Sequence, residues 1–180
     1  VKNLTVRGVI RPQGTKATVG GIVADNKGTI VGCRFNGTIE GKSDVGGIAG
    51  LNGETGQIVD CTSWGSITGE YRTGGICGKN TGSITGSANH ARVNTVEVEV
   101  TLDVSDFDIR KITDAETNLT CTDTGGIAGY SSGIIRSCSN RGMVGYPHTG
   151  YNVGGIAGRV AFRSIGSQTV ISPAPRCAHA

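Results

Sequence analysis

The chain has 180 residues, of which 31 are glycine, and it carries a formal net charge of +3. Glycine costs about 1 kcal/mol relative to alanine inside a helix, so this composition excludes a helical repeat protein. No run of about 18 apolar residues occurs, and a membrane-spanning helix is therefore not expected. The basic residues are scattered along the sequence without interleaved aromatic residues, so we do not expect a nucleic-acid partner.

A short motif with the form Gly-Gly-Ile-Ala-Gly recurs along the chain. Its copies begin at Gly20, Gly46, Gly74, Gly125 and Gly154, which are 26, 28, 51 and 29 residues apart. Self-similarity at such a period indicates a repeat architecture. Four further positions repeat after the motif: Ile30, Ile58, Ile84 and Ile135; Cys33, Cys61, Ser87 and Cys138; Gly37, Gly65, Ala91 and Gly142; and Ile39, Ile67, Val93 and Val144. We predict an all-β fold, a β-solenoid of about five glycine-rich coils in one domain, residues 1–180, with equivalent residues stacked at about 4.8 Å.

In chain order, residues 1–18 are expected to form part of a coil. The isoleucine, cysteine, glycine and second isoleucine positions are occupied there by Val1, Leu4, Gly8 and Ile10. Because the chain begins part-way through a coil, we expect it to belong to a longer polypeptide. The next coils are predicted from Val19 to Asp44, from Val45 to Arg72, and from Thr73 onward.

The repeated positions predict columns of equivalent side chains inside the coils. One apolar column should contain Ile22, Ile48, Ile76, Ile127 and Ile156. The cysteine position should form another, in which the thiols are buried and unpaired, because buried cysteine packs as a small hydrophobe. A polar column of Asn26, Asn52, Asn80 and Ser131 is expected to stabilise a bend. Cys121 and Cys177 lie outside the repeat, and the sequence leaves their state open.

The third coil is interrupted by an insertion, residues 94–123. From Val96 to Val104, valine and leucine alternate with polar residues, and strict alternation of this kind is typical of a half-buried strand. We expect this strand to belong to an inserted hairpin or loop. At the other end of the chain, residues 172–180 contain two prolines and are expected to form a loose tail.

The repeated sequence resembles the GLUG repeat of secreted and surface-attached bacterial proteins. The resemblance covers roughly Val19–Val93 and Thr124–Val144, together with the fifth motif copy. It implies a secreted or cell-surface setting in a bacterium and a role in adhesion, ligand binding or spacing. It supplies no catalytic residues.

The residues by themselves predict no catalytic, cofactor or metal site. The densest acidic cluster, Asp103, Asp106, Asp108 and Asp114, lacks the glycine-containing loop of a calcium site and is expected to be a solvated part of the insertion. The alternative is a β-helical lyase or glycosidase, in which Asp103 or Asp108 would face Glu40 or Glu70. Glycoside hydrolysis needs two such carboxylates in one cleft.

Variation in coil length predicts a binding edge. The connections that lead back to the next Gly-Gly differ in length, and in a solenoid such variation maps to one edge, which is often the binding face. The candidate residues there are Tyr71, Arg72, Tyr146, His148 and Tyr151. Tyrosine offers a flat apolar ring and a polar tip, which suit a glycan or a host protein. The alternative is that these tyrosines only cover glycine-rich bends.

Overall fold

A computed structural model of the chain describes residues 1–13, 18–95, 123–145 and 152–161. Within these ranges every regular element is a β-strand and no helix occurs. Each strand pairs in parallel with the equivalent strand of the next turn, and the strands stack as a β-solenoid of about four turns. The prediction of an all-β solenoid is confirmed.

Each turn of the solenoid contributes strands to four parallel sheets, and we name each sheet after a feature that its strands have in common. The glycine sheet contains β2 (Val19–Gly20), β6 (Val45–Gly46), β10 (Thr73–Gly74), β15 (Asp123–Gly125) and β19 (Asn152–Gly154). The asparagine sheet contains β3 (Val23–Asn26), β7 (Ala49–Asn52), β11 (Cys77–Asn80), β16 (Ala128–Ser131) and β20 (Ala157–Val160). The isoleucine sheet contains β4 (Thr29–Val31), β8 (Gln57–Val59), β12 (Ser83–Thr85) and β17 (Ile134–Arg136). The long-strand sheet contains β1 (Thr5–Ile10), β5 (Arg34–Gly41), β9 (Thr62–Gly69), β13 (Ala88–Asn89), β14 (Arg92–Val93) and β18 (Ser139–Asn140).

The register of the strands matches the register of the repeat. Ile58 pairs with Ile30 on one side and with Ile84 on the other. At the start of the chain, strand β1 places Gly8 beside Gly37. The repeated positions of the first residues thus stack on their equivalents one turn away. This confirms the predicted partial coil.

Glycine is required where the turns approach most closely. A Cβ atom on Gly46 would lie 2.7 Å from the Cα atom of Cys77 in the next turn, and one on Gly47 would lie 2.7 Å from the Cβ atom of Ser63 across the interior. Neither distance leaves room for a side chain. The Gly-Gly pair thus allows backbone from two sheets to meet at a corner of the coil.

The interior consists of parallel columns of side chains, and several of its apolar columns are stacked isoleucines. Ile48, Ile76 and Ile127 are fully buried, and the amide of each donates to the carbonyl of the next, at 2.8–2.9 Å. The predicted isoleucine column is confirmed, with Ile22 and Ile156 half-buried at its two ends. Burial of an isoleucine contributes about 1.5–3 kcal/mol, so each turn adds a similar increment of stability.

The corner between the isoleucine sheet and the long-strand sheet has a left-handed backbone on every turn. The φ angles there are 55° at Asn3, 61° at Gly32, 50° at Asp60, 62° at Gly86 and 52° at Ser137. Glycine adopts this conformation freely and asparagine and aspartate tolerate it, whereas for other residues it costs about 1–2 kcal/mol. Strain is therefore expected at Ser137, where the backbone conformation keeps the turns in register.

Several predicted features lie outside the described residues. These are most of the insertion, residues 96–122, together with the tail at 172–180 and the two cysteines Cys121 and Cys177. In the part of the chain that the structure describes, no helix is long and apolar enough to cross a membrane.

Candidate functional site

The buried polar column of the asparagine sheet is hydrogen-bonded from end to end. The Asn26 amide nitrogen donates to Asn52 Oδ1 at 2.7 Å, and the Asn52 amide donates in turn to Asn80 Oδ1 at 2.8 Å. Asn80 then donates to Ser131 Oγ at 3.1 Å. Since a buried polar group without a partner costs free energy, this saturated column stabilises the fold and leaves no group free for a ligand.

The thiols in the interior are buried and unreactive. Cys33, Cys61 and Cys77 are fully buried free cysteines, and Cys138 is half-buried. Burial raises the pKa of the Cys61 thiol to about 11 and also raises the pKa of Cys77. Because the thiolate is the nucleophile and the metal ligand, these cysteines are structural. The predicted buried thiols are confirmed for Cys33, Cys61 and Cys77, whereas Cys138 is only half-buried.

The acids that the enzyme alternative placed on the coils are ion-paired. Glu40 accepts two hydrogen bonds from the Arg11 guanidinium, at 2.5 and 2.6 Å, and these hold the pKa of Glu40 below its usual value. Glu70 lies 3.9 Å from Lys42 Nζ. Asp103 and Asp108 lie outside the described residues. Within the described ranges, no three His, Cys, Asp or Glu side chains are grouped as a metal ion would require.

Only two residues of the predicted binding edge are described. Tyr71 is half-buried, and its backbone amide donates to the Lys42 carbonyl at 2.9 Å. The guanidinium of Arg72 donates to both carboxylate oxygens of the buried Asp44, at 2.5 and 2.9 Å. The other three residues of the predicted edge, Tyr146, His148 and Tyr151, lie outside the described residues. The edge stays a prediction, and its arginine already has a structural partner.

A different surface combines positive charge with aromatic rings, and we call it the arginine face. It comprises three adjacent columns on the outer side of the long-strand sheet, where alternation along each strand turns side chains outward. The columns are Thr5, Arg34, Thr62, Ala88 and Ser139; Arg7, Asn36, Trp64, His90 and Arg141; and Val9, Thr38, Ser66, Arg92 and Met143. These fifteen positions include four arginines and no carboxylate. A fourth outward column, with Glu40 and Thr68, adjoins these three, and Glu40 is ion-paired with Arg11.

The four arginines of this face are exposed, and none of them has an ion-pair partner among the described residues. Arg7, Arg34, Arg92 and Arg141 are all exposed. Among the described residues, the arginines in ion pairs are Arg11, Arg72 and Arg159, and none of these lies in the three columns. The arginine face is therefore positively charged and has guanidinium groups available to an external anion.

At the centre of the arginine face, two rings are stacked. The indole of Trp64 and the imidazole of His90 have their centroids 5.2 Å apart and their planes inclined by 7°. The parallel sheet sets this geometry, because it places equivalent residues on neighbouring turns about 4.8 Å apart. Trp64 is the only tryptophan of the chain, and it is half-buried on the outer side of its strand.

The sequence analysis did not find the arginine face, although the repeat carries a signal for it. The middle column is the position three residues after each cysteine or its equivalent, as at Asn36, Trp64 and His90. If the repeats had been aligned with one another, Arg7 and Arg141 would have fallen in this same column. Basic residues that are scattered along the chain are thus grouped by the solenoid on one sheet.

Comparison with known proteins gives no assignment: no family model, no characterised protein and no solved structure matches the chain. The arguments about its function consequently depend on the arrangement of its own residues.

Proposed function

We propose that the chain is a non-catalytic repeat module that binds glycans through the arginine face. The observation that carries this proposal is the Trp64–His90 ring stack at the centre of an exposed sheet face, whose four arginines have no ion-pair partner among the described residues. Aromatic faces stack on the apolar faces of sugar rings, and arginine donates hydrogen bonds to their polar groups. A host or surface protein is the other kind of partner that such a face could contact.

The setting that we propose is a secreted or surface-attached bacterial protein of the GLUG-repeat type. Its support is the resemblance of the repeat, together with a solenoid register that is the same on every described turn. In the finer architecture that we propose, each of the five Gly-Gly motifs begins one coil, and residues 94–123 form an insertion in the third. A rigid stack of parallel turns is suited both to adhesion and to a role as a spacer.

The alternative of a carbohydrate-active enzyme has weaker support. Its proposed carboxylates on the coils, Glu40 and Glu70, are both paired with cations of a neighbouring segment. A general acid needs a raised pKa, whereas the Arg11 guanidinium lowers the pKa of Glu40. The ion pairs therefore favour a binding module over a hydrolase or lyase.

A glycan-binding assay with matched variants tests the proposal. The whole chain is applied to an array of immobilised neutral and acidic glycans, alongside Trp64→Ala and Tyr71→Ala variants. We expect the parent chain and Tyr71→Ala to bind the same glycans, and Trp64→Ala to lose roughly ten-fold in affinity, because the stacking surface is removed. Assay of the bound glycans for new reducing ends should detect no cleavage.

Three outcomes would contradict this proposal. If the parent chain binds no glycan, the proposed ligand class is wrong. If Tyr71→Ala abolishes binding and Trp64→Ala does not, the ligand binds at the predicted edge and the arginine face has no such role. The appearance of new reducing ends would establish the enzymatic alternative.

A further inference from the structure

The arginines of the arginine face surround Trp64 symmetrically. Along the middle column, Arg7 lies two turns before Trp64 and Arg141 lies two turns after it. In the flanking columns, Arg34 lies one turn before Trp64 on one side, and Arg92 lies one turn after it on the other side. Each arginine thus has a counterpart at the opposite position across the indole.

The register of the sheet sets the spacing of these charges. Turns are about 4.8 Å apart, so the Cα atoms of Arg7 and Arg141 are each about 10 Å from that of Trp64 and about 19 Å from one another. One pyranose unit of an extended polysaccharide is about as long as one such step. The middle column can therefore bind several consecutive sugar units along the solenoid axis, with a guanidinium at each end and an aromatic ring between them.

The stacked rings limit how a ligand can contact the centre of the face. Because the imidazole of His90 covers one face of the Trp64 indole, a sugar chain that runs along the solenoid axis contacts the outer edges of the two rings and then passes over Asn36. Asn36 is exposed, and the neighbouring positions Thr38 and Thr62 carry hydroxyl groups. These short polar side chains can exchange hydrogen bonds with sugar hydroxyls without filling the space above the sheet.

The charged groups of the face are all guanidinium groups. Arginine is planar and donates two parallel hydrogen bonds to a carboxylate, a geometry that the point charge of lysine does not reproduce. No lysine occupies any of the three outward columns. This composition favours a ligand with regularly spaced planar anions.

We propose that the ligand of the arginine face is a linear polysaccharide with carboxylate groups, bound along the solenoid axis. One uronate ring contacts the outer edges of the Trp64–His90 pair, and carboxylates of units on either side pair with Arg7 and Arg141, while Arg34 and Arg92 contact the flanks. The inference rests on the proposed glycan-binding function and adds the charge, linear form and direction of the ligand.

A single-stranded nucleic acid fits the same face less well. Proteins that bind such strands present several aromatic side chains on which successive bases stack. On the arginine face, one of the two rings already covers the other, so one indole face is available for stacking. A sugar chain does not need a series of stacking rings, since most of its contacts are hydrogen bonds to hydroxyls and carboxylates.

Calorimetric titration of the whole chain with polygalacturonate tests the inference, with methyl-esterified polygalacturonate as the neutral chain of the same backbone. We expect the carboxylated polymer to bind roughly ten-fold or more tightly than the ester, and its affinity to fall as NaCl is raised, because exposed charges are screened. Arg7→Gln, Arg34→Gln, Arg92→Gln and Arg141→Gln should each weaken binding by about two- to five-fold, as for exposed ion pairs.

The control variant is Arg136→Gln. Arg136 is also exposed, but it belongs to β17 of the isoleucine sheet, and its substitution changes the net charge by the same amount. We expect it to change affinity less than two-fold, which would separate contact at the arginine face from a general effect of charge. Unchanged circular dichroism of all five variants would show that the fold is retained.

The possible outcomes distinguish the two proposals. If the ester and the acid bind equally and both need Trp64, the inference is wrong and the glycan-binding function stands. If dextran sulfate or oligothymidylate binds more tightly than polygalacturonate, the assignment to carboxylates is overturned. If Arg136→Gln weakens binding as much as the face variants do, no defined site exists. If no polysaccharide binds at all, both proposals fail.

Discussion

The buried asparagine column and the arginine face are built by the same rule and have opposite properties. In both, polar residues occupy one repeated position on successive turns. Inside, the amides of Asn26, Asn52 and Asn80 bond to one another and to Ser131, so that the column is saturated. Outside, Arg7 and Arg141 have no carboxylate partner among the described residues. Repetition alone therefore does not identify function. Polar groups that are hydrogen-bonded to one another have a structural role, whereas exposed polar groups without such partners can bind a ligand.

The largest effect should follow from placing charge in the interior. Ile48→Asp buries a carboxylate in a dry column of isoleucines, which costs several kcal/mol, and the protein should be unfolded or insoluble. The matched control is Leu51→Asp in the same strand, where the side chain is only half-buried. Thermal unfolding followed by circular dichroism measures both. A near-normal melting temperature for Ile48→Asp would contradict the packing described above.

An identical substitution inside and outside tests the comparison directly. Asn52→Ala removes the middle of the buried column and leaves Asn26 and Asn80 without their amide partners, so the free energy of unfolding should fall by about 3 kcal/mol. Asn36→Ala, on the arginine face, should change it by less than about 0.5 kcal/mol. Denaturant titration compares the two variants. Equal losses would mean that the outer asparagine is also structural.

The buried thiols should make stability depend on alkaline pH. Unfolded cysteine ionises at its ordinary pKa of 9.0, whereas burial raises the pKa of folded Cys61 to about 11. Between these values the unfolded state releases protons that the folded state retains, so the free energy of unfolding should decrease as the pH rises from about 9 to about 11. Denaturant unfolding over this pH range measures the decrease.

The repeat itself supplies the control for the thiol prediction. Ser87 occupies the Cys61 position in the next turn, and Ala49 and Ala128 occupy the Cys77 position in the neighbouring turns. A Cys61→Ser and Cys77→Ala double variant should therefore fold and lose part of the pH dependence. If its unfolding has the same dependence as that of the parent chain, other groups are responsible.

The smallest effect is expected at an exposed corner, where no packing changes. Ser137 has a φ angle of 52°, and Gly32 and Gly86 occupy the same corner on other turns. Ser137→Gly should raise the free energy of unfolding by about 1 kcal/mol, because the left-handed conformation is strained for serine. Ser139→Gly, in the neighbouring strand β18, should instead lower it by about 0.5–1 kcal/mol. Differential scanning calorimetry resolves opposite shifts of this size.

The period, the register and much of the composition of the interior follow from the sequence alone. Glycine at close corners, isoleucine at three inward positions and asparagine at a bend recur at fixed spacing, and parallel stacking places each residue on its equivalent one turn away. For this reason Ile48 and Cys61 could be assigned to buried columns, and Asn52 to a column at a bend, from the sequence alone. A column of identical residues can be recognised in the sequence because the same residue type recurs at each period.

Which unlike residues meet became clear only in the folded structure. The middle column of the arginine face contains Arg7, Trp64 and His90, which share no residue type, so repetition does not reveal it. Whether an arginine is ion-paired likewise depends on which side chains of neighbouring turns lie within its reach. Arg72 forms an ion pair with Asp44, whereas Arg141 forms none with a carboxylate of the described chain. Stacking determines which residues are neighbours. Whether a charged side chain is neutralised depends on the chemical type of those neighbours, and they come from different turns of the solenoid.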